Sequence, residues 1–219
     1  MSFYDLDHKL YLPNIISADI VAGKEVMSRG LPLERIVSIK EKLARYQRRV
    51  IIRDSLIRSA VLVPITKTAN GLELLFTKRT ESVEHHKGQI SFPGGAFDPA
   101  DRTSSDTALR ETFEEIGLSP ASVSLLGTMD DLQTPTGFVV TPVIGYIENL
   151  PPLHLNSQEV AQVILIPLEK FFNDSHRRSR FMERDGTRIE VFFYDVWNEP
   201  VWGATALFVK KLVDLLRSA

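Results

Sequence analysis

The feature that most constrains the fold is a short helix with clearly marked ends. The sequence predicts this helix from about Ser105 to Ile116, with a serine at the N-cap and Asp106 in the first turn. Gly117 follows where a helix-stopping glycine is expected. The stretch over residues 80–104 is polar and then rich in Gly, Pro, Asp and Ser, which predicts a long loop. Loops of this length inside a compact domain are usually functional.

The helix has two faces of opposite chemistry. One face is an apolar stripe that is predicted to pack on a sheet, and it consists of Leu109, Phe113 and Ile116. The other face carries three carboxylates, which are Glu111, Glu114 and Glu115. Their repulsion disfavours an isolated helix, and a hard cation such as Mg²⁺ or Mn²⁺ would relieve it. Such a cation also binds phosphate oxygens and activates water, so the pattern suits cleavage of a pyrophosphate bond.

A solvated acidic face is the alternative interpretation of this helix. In that case Arg110 pairs with Glu114 and Asp106 at i,i+4 spacing, and no ligand is needed. The preceding Gly94-Gly95 pair favours a binding site, because glycine lets the backbone approach a ligand closely and the loop that follows ends at this helix.

Composition excludes several other classes of function. The 219 residues are 43% hydrophobic and 25% charged, which is typical of a globular protein, and the net charge of −2 provides no field for nucleic acid. The chain has no cysteine, so disulfides, thiolate metal sites and a cysteine nucleophile are excluded. No apolar run has the length of a signal or membrane-spanning segment, so we expect a cytoplasmic protein that binds neither membrane nor nucleic acid.

The chain divides into an irregular N-terminal extension over residues 1–31 and a single mixed α/β domain over residues 32–219. Pro13, Gly23 and Gly30 interrupt the extension. A surface helix is predicted within residues 31–50, with apolar residues at helical spacing: Leu33, Ile36, Ile39, Leu43 and Tyr46. Two strands, 59–66 and 72–79, flank Asn70-Gly71 and predict a hairpin. Further strands are predicted at 122–132, 139–147, 160–168, 178–184 and 188–196, and helices near 169–172 and at 205–218.

Residues 94–118, GGAFDPADRTSSDTALRETFEEIGL, closely resemble the Nudix box, a glycine-led loop followed by a helix bearing RExxEExG. The helical half matches completely: Arg110, Glu111, Glu114, Glu115 and Gly117. The loop is one residue longer than the family spacing and lacks the usual loop glutamate, whose link to the helix arginine falls to Asp106 or Asp101. The resemblance implies an α/β/α sandwich with a mixed central sheet. It also implies that Glu111, Glu114 and Glu115 bind the catalytic metals, with a backbone carbonyl of the Gly94-Gly95 turn, assigned to Gly95, assisting.

The upstream stretch LLFTKRTESVEHHKGQISFPGG resembles the signature of the coenzyme A pyrophosphatase branch of this family. The matching positions are Leu74, Leu75, Arg79, Gly88, Phe92, Pro93, Gly94 and Gly95, whereas Glu84 stands where the signature has its second arginine. Residues 130–147 and 201–216 look like the same branch. The resemblance therefore implies hydrolysis of coenzyme A to 3′,5′-ADP and 4′-phosphopantetheine.

Three residues outside the helix are candidates for contacts with the substrate or the reacting water. Arg79, at a predicted strand end, suits a diphosphate, although a surface salt bridge is the alternative. Lys87 is the simplest replacement for the cation missing at Glu84, beside a His85-His86 pair that has no zinc-site spacing. Glu159 matches the region where many Nudix enzymes have a further metal ligand or general base, and a solvated loop glutamate is the alternative.

Three functional hypotheses remain open on the sequence. The first is a Mg²⁺- or Mn²⁺-dependent coenzyme A diphosphatase, and the second is a Nudix hydrolase of ADP-ribose, a dinucleotide cofactor or a nucleoside triphosphate. The third is a non-catalytic module that senses a nucleotide. All three imply a small nucleotide-type ligand, and the sequence leaves a monomer and a homodimer equally open.

Overall fold

The computed structural model describes residues 32–81, 88–184 and 186–218. Within these ranges lie three α-helices: α1 (Pro32–Arg45), α2 (Ser104–Ile116) and α3 (Gly203–Arg217). The strands are β1 (Ile57–Thr68), β2 (Gly71–Arg79), β3 (Ile90–Ser91), β4 (Gly94–Ala96), β5 (Ser124–Thr128), β6 (Leu132–Gln133), β7 (Phe138–Ile147), β8 (Val160–Pro167), β9 (Arg177–Arg184), β10 (Thr187–Tyr194) and β11 (Val201–Trp202). Short 3₁₀ turns occupy Pro120–Ser122, Leu168–Phe172 and Asp174–His176. The N-terminal extension over residues 1–31 lies outside the described residues.

The main sheet grows from the hairpin predicted at Asn70-Gly71. β1 and β2 pair antiparallel on either side of this turn, with Thr68 opposite Gly71. β2 also pairs with β3 and β8, and β1 pairs with β4 and β7. β5 and β6 pair with β7. The prediction of the hairpin is confirmed, and the strands predicted at 139–147, 160–168, 178–184 and 188–196 correspond to β7, β8, β9 and β10. The single strand predicted over 122–132 is wrong, because this stretch is divided between β5 and β6.

One pairing makes the sheet mixed. β1 and β7 run parallel over ten residue pairs, from Ile57 opposite Phe138 to Thr66 opposite Ile147, whereas the other pairings are antiparallel. Parallel strands need a long crossover, and here the crossover contains the loop and helix α2. The central mixed sheet implied by the resemblance is therefore confirmed.

Helices cover both faces of the main sheet. The side chains of β1 alternate between these two faces, so apolar residues of this strand are buried on each side. Ala60 and Leu62 are buried on the face covered by α2, together with Ala108 and Ile116 of that helix. Val63 and Ile65 are buried on the opposite face, in a cluster that receives these residues of α1 and α3: Ile36, Ile39, Leu43, Phe208, Val209 and Leu212. The architecture is an α/β/α sandwich, as the resemblance implies. None of the helices in the described ranges is long and apolar enough to span a membrane.

A second, smaller sheet consists of β9, β10 and β11. β9 and β10 form an antiparallel hairpin, and β11 pairs with the end of β10, with Phe193 opposite Trp202. The sequence predicts β9 and β10 but not β11, because two residues carry too little pattern to be recognised. For the same reason β3 and β4 went unrecognised, and their residues were wrongly assigned to the loop that follows Arg79.

Helix α2 has the predicted ends with one correction. The N-cap is Thr103 rather than a serine, and its hydroxyl accepts from Asp106 N at 3.2 Å while Asp106 Oδ2 accepts from Thr103 N at 3.0 Å. This reciprocal capping box satisfies two backbone donors at the helix start. At the other end, Gly117 adopts φ 70°, and its N–H donates to Phe113 O at 2.8 Å. A left-handed cap of this kind favours glycine.

The predicted apolar stripe of α2 is wrong at one position. Phe113 is 54% exposed, whereas the inward face also buries Ala108, Thr112 and Glu115. The small side chains of Ala108 and Thr112 let the helix approach β1 and β4 closely, and with this face turned inward Phe113 points outward. A consequence is that one of the three carboxylates, that of Glu115, lies inside the protein.

Replacement of Thr103 by alanine removes the hydroxyl that caps α2. We expect the free energy of unfolding to fall by about 1 kcal/mol, measured by urea denaturation followed by circular dichroism. Thr103→Ser is the matched control, because it retains the hydroxyl. A decrease of equal size in both variants would show that the methyl contact, rather than the cap, stabilises the helix start.

Candidate active site

The carboxylates of α2 differ sharply in their surroundings. The side chain of Glu114 is 55% exposed, that of Glu111 is 18% exposed and that of Glu115 only 5%. Glu111 and Glu115 lie one turn apart on the side of the helix that meets β4 and the end of β2. The structure therefore brings two of the predicted carboxylates into the protein and leaves the third at the rim.

Arg110 connects the helix to the loop that precedes it. Its guanidinium forms two hydrogen bonds to Asp101, from Nε to Oδ1 at 3.2 Å and from Nη2 to Oδ2 at 3.0 Å. Nη2 also donates to Ala96 O at 2.9 Å, and Nη1 donates to Glu111 Oε1 at 2.8 Å. Glu114 is within 3.3 Å of the same group. One cation thus holds β4, the loop and two carboxylates of the helix.

Asp101 is the partner of the helix arginine, and Asp106 is not. Hydrogen bonds from Arg110 are the main reason that the pKa of Asp101 lies at about 2, and a bond from Thr107 Oγ1 at 2.8 Å also stabilises the ionised form. Asp106 instead caps the helix. The sequence left both aspartates open, and the structure selects Asp101 because only its carboxylate meets the guanidinium edge to edge.

Glu115 is the most perturbed group of the site. Burial raises its pKa to about 8, opposed by Arg79 and reinforced by the carboxylates of Glu159 and Glu111. Its Oε1 lies 3.7 Å from Arg79 Nη1, and its Oε2 is buried without a hydrogen-bond partner. Burial likewise raises the pKa of Glu111, although Arg110 opposes the shift. Both carboxylates therefore favour the approach of a further cation.

The two glycines of β4 are required by close contacts. A Cβ atom on Gly95 would lie 2.3 Å from Glu111 Oε2, and one on Gly94 would lie 2.3 Å from Ala60 O of the neighbouring strand. Any side chain at Gly95 would displace the Glu111 carboxylate. Of the pair predicted to allow close approach of the backbone, Gly95 thus approaches the acidic face of α2 and Gly94 approaches β1.

Glu159 reaches the site through a tight turn before β8. Asn156 Nδ2 donates to Glu159 Oε1 at 3.2 Å, and Asn156 N donates to Glu115 O at 2.9 Å. The same turn is fixed to the end of β2, because Thr80 N donates to Glu159 O at 2.9 Å. The sequence analysis overlooked Asn156, for which the only signal was an amide three residues before the candidate glutamate.

Arg79 lies beside the carboxylates, at the end of β2. Its side chain is 28% exposed, and its Nε is buried without a hydrogen-bond partner. The predicted neighbours Glu84, His85, His86 and Lys87 lie outside the described residues. The structure thus brings together Arg79, Gly94, Gly95, Glu111, Glu115 and Glu159, with Glu114 at the edge.

The donor chemistry fits a hard divalent cation. Within residues 32–81, 88–184 and 186–218, no three His, Asp or Glu side chains already converge on one metal position. Glu111 and Glu114 are turned toward Arg110, while the unpartnered Glu115 Oε2 leaves a buried oxygen ready for a cation. Carboxylate and carbonyl oxygens are the ligands that Mg²⁺ and Mn²⁺ prefer. Glu111, Glu114, Glu115 and the carbonyl of Gly95 could therefore hold such an ion.

The raised pKa of Glu115 predicts how the stability of the metal-free protein depends on pH. The carboxyl is protonated more readily in the folded state, so its contribution is greatest below its ordinary pKa of 4.5 and is lost as pH rises toward 8. Glu115→Gln is neutral at every pH. We expect the stability difference between the variant and the wild type to grow by more than about 1 kcal/mol from pH 5 to pH 8.5.

Urea denaturation in chelator, at several pH values, measures this difference, and titrations elsewhere in the chain cancel in the comparison. Glu114→Gln serves as the matched control, because it makes the same replacement on the same helix at an exposed side chain. Parallel pH profiles for Glu115→Gln and the wild type would contradict the prediction.

The chain is similar to proteins of one known family. Residues 56–185 match the model of the NUDIX domain. An "Uncharacterized Nudix hydrolase NudL" from Pectobacterium atrosepticum is 38% identical over 71% of this chain and 80% of its own length. A protein of the same description from Yersinia pestis is 36% identical over 72% of this chain and 78% of its own length. A solved MutT/nudix family protein from Enterococcus faecalis is 17% identical, with a TM-score of 0.47, over 87% of this chain and 74% of that one. The chain belongs to the NUDIX family.

Proposed function

We propose that the protein is a Mg²⁺- or Mn²⁺-dependent hydrolase that cleaves the diphosphate of coenzyme A, or of its derivatives, to 3′,5′-ADP and 4′-phosphopantetheine. The observation that carries the proposal is the grouping of Glu111, Glu115 and Glu159 with Arg79 beside the Gly94-Gly95 strand. A buried, unpartnered carboxylate oxygen beside a guanidinium suits a site that holds a cation and a diphosphate together.

Each side chain of the proposed site has its own role in hydrolysis. Glu111, Glu114 and Glu115, with the carbonyl of Gly95, would hold the divalent ions, which would neutralise charge on the phosphates and lower the pKa of water. Arg79 is proposed to bind a phosphate oxygen of the diphosphate, and Lys87 is proposed as a second phosphate contact.

Glu159 is proposed as the general base. Its carboxylate accepts a proton from water as the water oxygen bonds to one phosphorus atom, and the bond from that phosphorus to the bridging oxygen breaks. The departing phosphate carries away the bonding electrons as an anion. Asn156 keeps the Glu159 carboxylate oriented through its amide, and the backbone bond from Asn156 to Glu115 O fixes the base relative to the acidic helix.

Support for coenzyme A comes from the residues shared with the branch signature. Arg79, Gly94 and Gly95 of that signature lie at the site, whereas Phe92 is buried and stacks on Phe76 at 4.6 Å, which assigns it a packing role. The signature thus includes the arginine that we propose to bind phosphate and a phenylalanine that packs against β2, the strand that carries this arginine. Other nucleoside diphosphate derivatives are compared directly in the experiment that follows.

Turnover of a substrate panel tests the proposed function. Purified protein is incubated with coenzyme A, ADP-ribose, NADH and nucleoside triphosphates in Mg²⁺ or Mn²⁺, and products are identified by mass. We expect 3′,5′-ADP from coenzyme A, no product in chelator, and a fall in kcat of about 100-fold or more in Glu115→Gln and Glu114→Gln. Preference for another compound would overturn the coenzyme A assignment, and absence of turnover with every compound would favour a nucleotide-sensing module.

A double-mutant cycle tests the pairing of Asn156 with Glu159. If Asn156 acts through the base, Asn156→Ala should lower kcat about tenfold with little change in KM, and it should have little further effect in the Glu159→Gln background. Asn173→Ala is the matched control, because Asn173 forms a similar turn bond, to Ser175 N at 3.0 Å, away from the carboxylates. Additive losses in the cycle would show that Asn156 acts independently of Glu159.

A further inference from the structure

A cavity of about 670 Å³ lies between the main sheet, the small β9–β11 sheet and the first turn of α3. Its volume is in the range of small-molecule binding sites. Neither β9, β10 nor α3 contributes a carboxylate or cation to the proposed chemistry. The cavity therefore needs an explanation of its own.

One end of the cavity is the candidate active site. Arg79, Gly94 and Gly95 line it, and the first two of these lie against Glu115 and β1 respectively. A group attached to a diphosphate held by Arg79 would enter this space directly. The cavity is thus continuous with the site rather than a separate pocket.

The walls of the cavity are largely apolar. Phe138 and Val140 line it from β7, Met182 and Ile189 from the small sheet, and Trp202 and Leu207 from the region around α3. Met182 and Ile189 are paired across the β9–β10 hairpin, so their side chains share the face turned toward the cavity. Burial of an apolar group against these walls would be favourable.

The charged residues that line the cavity restrict which chemical groups can bind there. Among the described residues, Arg79 is the only lysine or arginine that lines the cavity. A second anionic group deeper in the cavity would therefore lose its hydration without gaining a cation, which is costly. The carboxylates of Glu183 and Glu190, on the small sheet, also line the cavity and would repel such an anion. Neutral hydrogen-bonding groups line it as well, among them Ser91 and Gln133. The suitable occupant is therefore largely apolar, carries no negative charge and accepts a few hydrogen bonds.

We propose that this cavity binds the uncharged, largely apolar arm attached to the second phosphate of the substrate, and that Met182 and Ile189 select for that arm. The inference rests on the proposed function, because it requires the diphosphate to lie at Arg79. The arm of coenzyme A has this chemistry, because it combines a dimethyl carbon and methylene groups with two amides, a single hydroxyl and a thiol, and it carries no charge at neutral pH. A sugar arm carries hydroxyl groups that the apolar walls do not satisfy.

Two compounds isolate the contribution of the arm. Dephospho-coenzyme A and ADP-ribose share the same adenosine diphosphate and differ only in the group on the second phosphate. We expect the wild type to prefer dephospho-coenzyme A in kcat/KM. Met182→Asp introduces a carboxylate at the wall and should lower the ratio of the two kcat/KM values about tenfold.

Phe181→Asp is the matched control for this experiment. Phe181 neighbours Met182 in β9, is 57% exposed against 45% for Met182, and does not line the cavity. Its replacement adds the same charge to the same strand, so the ratio should stay unchanged. An unchanged ratio in Met182→Asp, or an equal fall in both variants, would overturn the inference.

Calorimetric titration of the same two compounds separates this inference from the proposed function. If neither compound is hydrolysed but Met182→Asp alone lowers the ratio of the two affinities, the cavity assignment holds and the catalytic proposal fails. If hydrolysis proceeds while neither ratio responds to Met182→Asp, the catalytic proposal holds and the cavity assignment fails. Loss of both turnover and selective binding would overturn both.

Discussion

The hydrogen bonds of Arg110 are the interaction on which the rest of the site depends. The guanidinium binds Asp101 of the loop, Ala96 O of β4 and Glu111 of the helix at 2.8 to 3.2 Å. Because these groups come from three successive elements, one planar cation fixes the loop between strand and helix. The contact of Gly95 with Glu111 follows from this arrangement, since β4 and α2 are held at a set distance. The arginine also offsets repulsion between carboxylates that would otherwise face each other.

Arg79 has a different relation to the acidic helix. It lies 3.7 Å from Glu115, too far for a close hydrogen bond, and it leaves one carboxylate oxygen without a partner. Arg110 therefore satisfies its acidic partners and Arg79 does not. A buried carboxyl group that has a raised pKa and lacks a hydrogen-bond partner on one oxygen lowers the stability of the fold. Such arrangements are found mainly at functional sites. Arg110 thus has a structural role in this cluster, and the role that we propose for Arg79 is to bind phosphate.

Local signals in the sequence predicted the parts of the fold that depend on local contacts. The Asn70-Gly71 turn and the Gly117 cap were recognised because each residue type has a backbone preference of its own. Phe113 was wrongly assigned to the core, because hydrophobic spacing does not reveal that smaller residues let the helix pack more closely on another face. The choice of Thr103 over a serine as N-cap depended on one residue of register, which propensity alone does not determine.

The sequence predicted those candidate site residues that belong to one continuous motif. It missed those that come together only when distant parts of the chain fold against each other. Glu111 and Glu115 were proposed from one helix, whereas the role that we propose for Asn156 depends on its turn lying against the end of α2. The choice between Asp101 and Asp106 likewise required the path of the loop. The cavity beside Arg79 had no sequence signal, because strands and a helix far apart in the chain form its walls.

The parallel pairing of β1 with β7 has a consequence for how the protein reaches its native state. Thr66 donates to Ile147 O across a separation of 81 residues, and the segment between these strands contains both β2 and α2. Closing so long a segment costs chain entropy before its contacts form, so pairings of this kind slow folding. Arg79 and α2 lie inside the enclosed segment, and Glu159 lies beyond it. The groups of the proposed site therefore meet only when β2, α2 and the turn before β8 have all assembled, so a fragment that ends before β8 would lack part of the site.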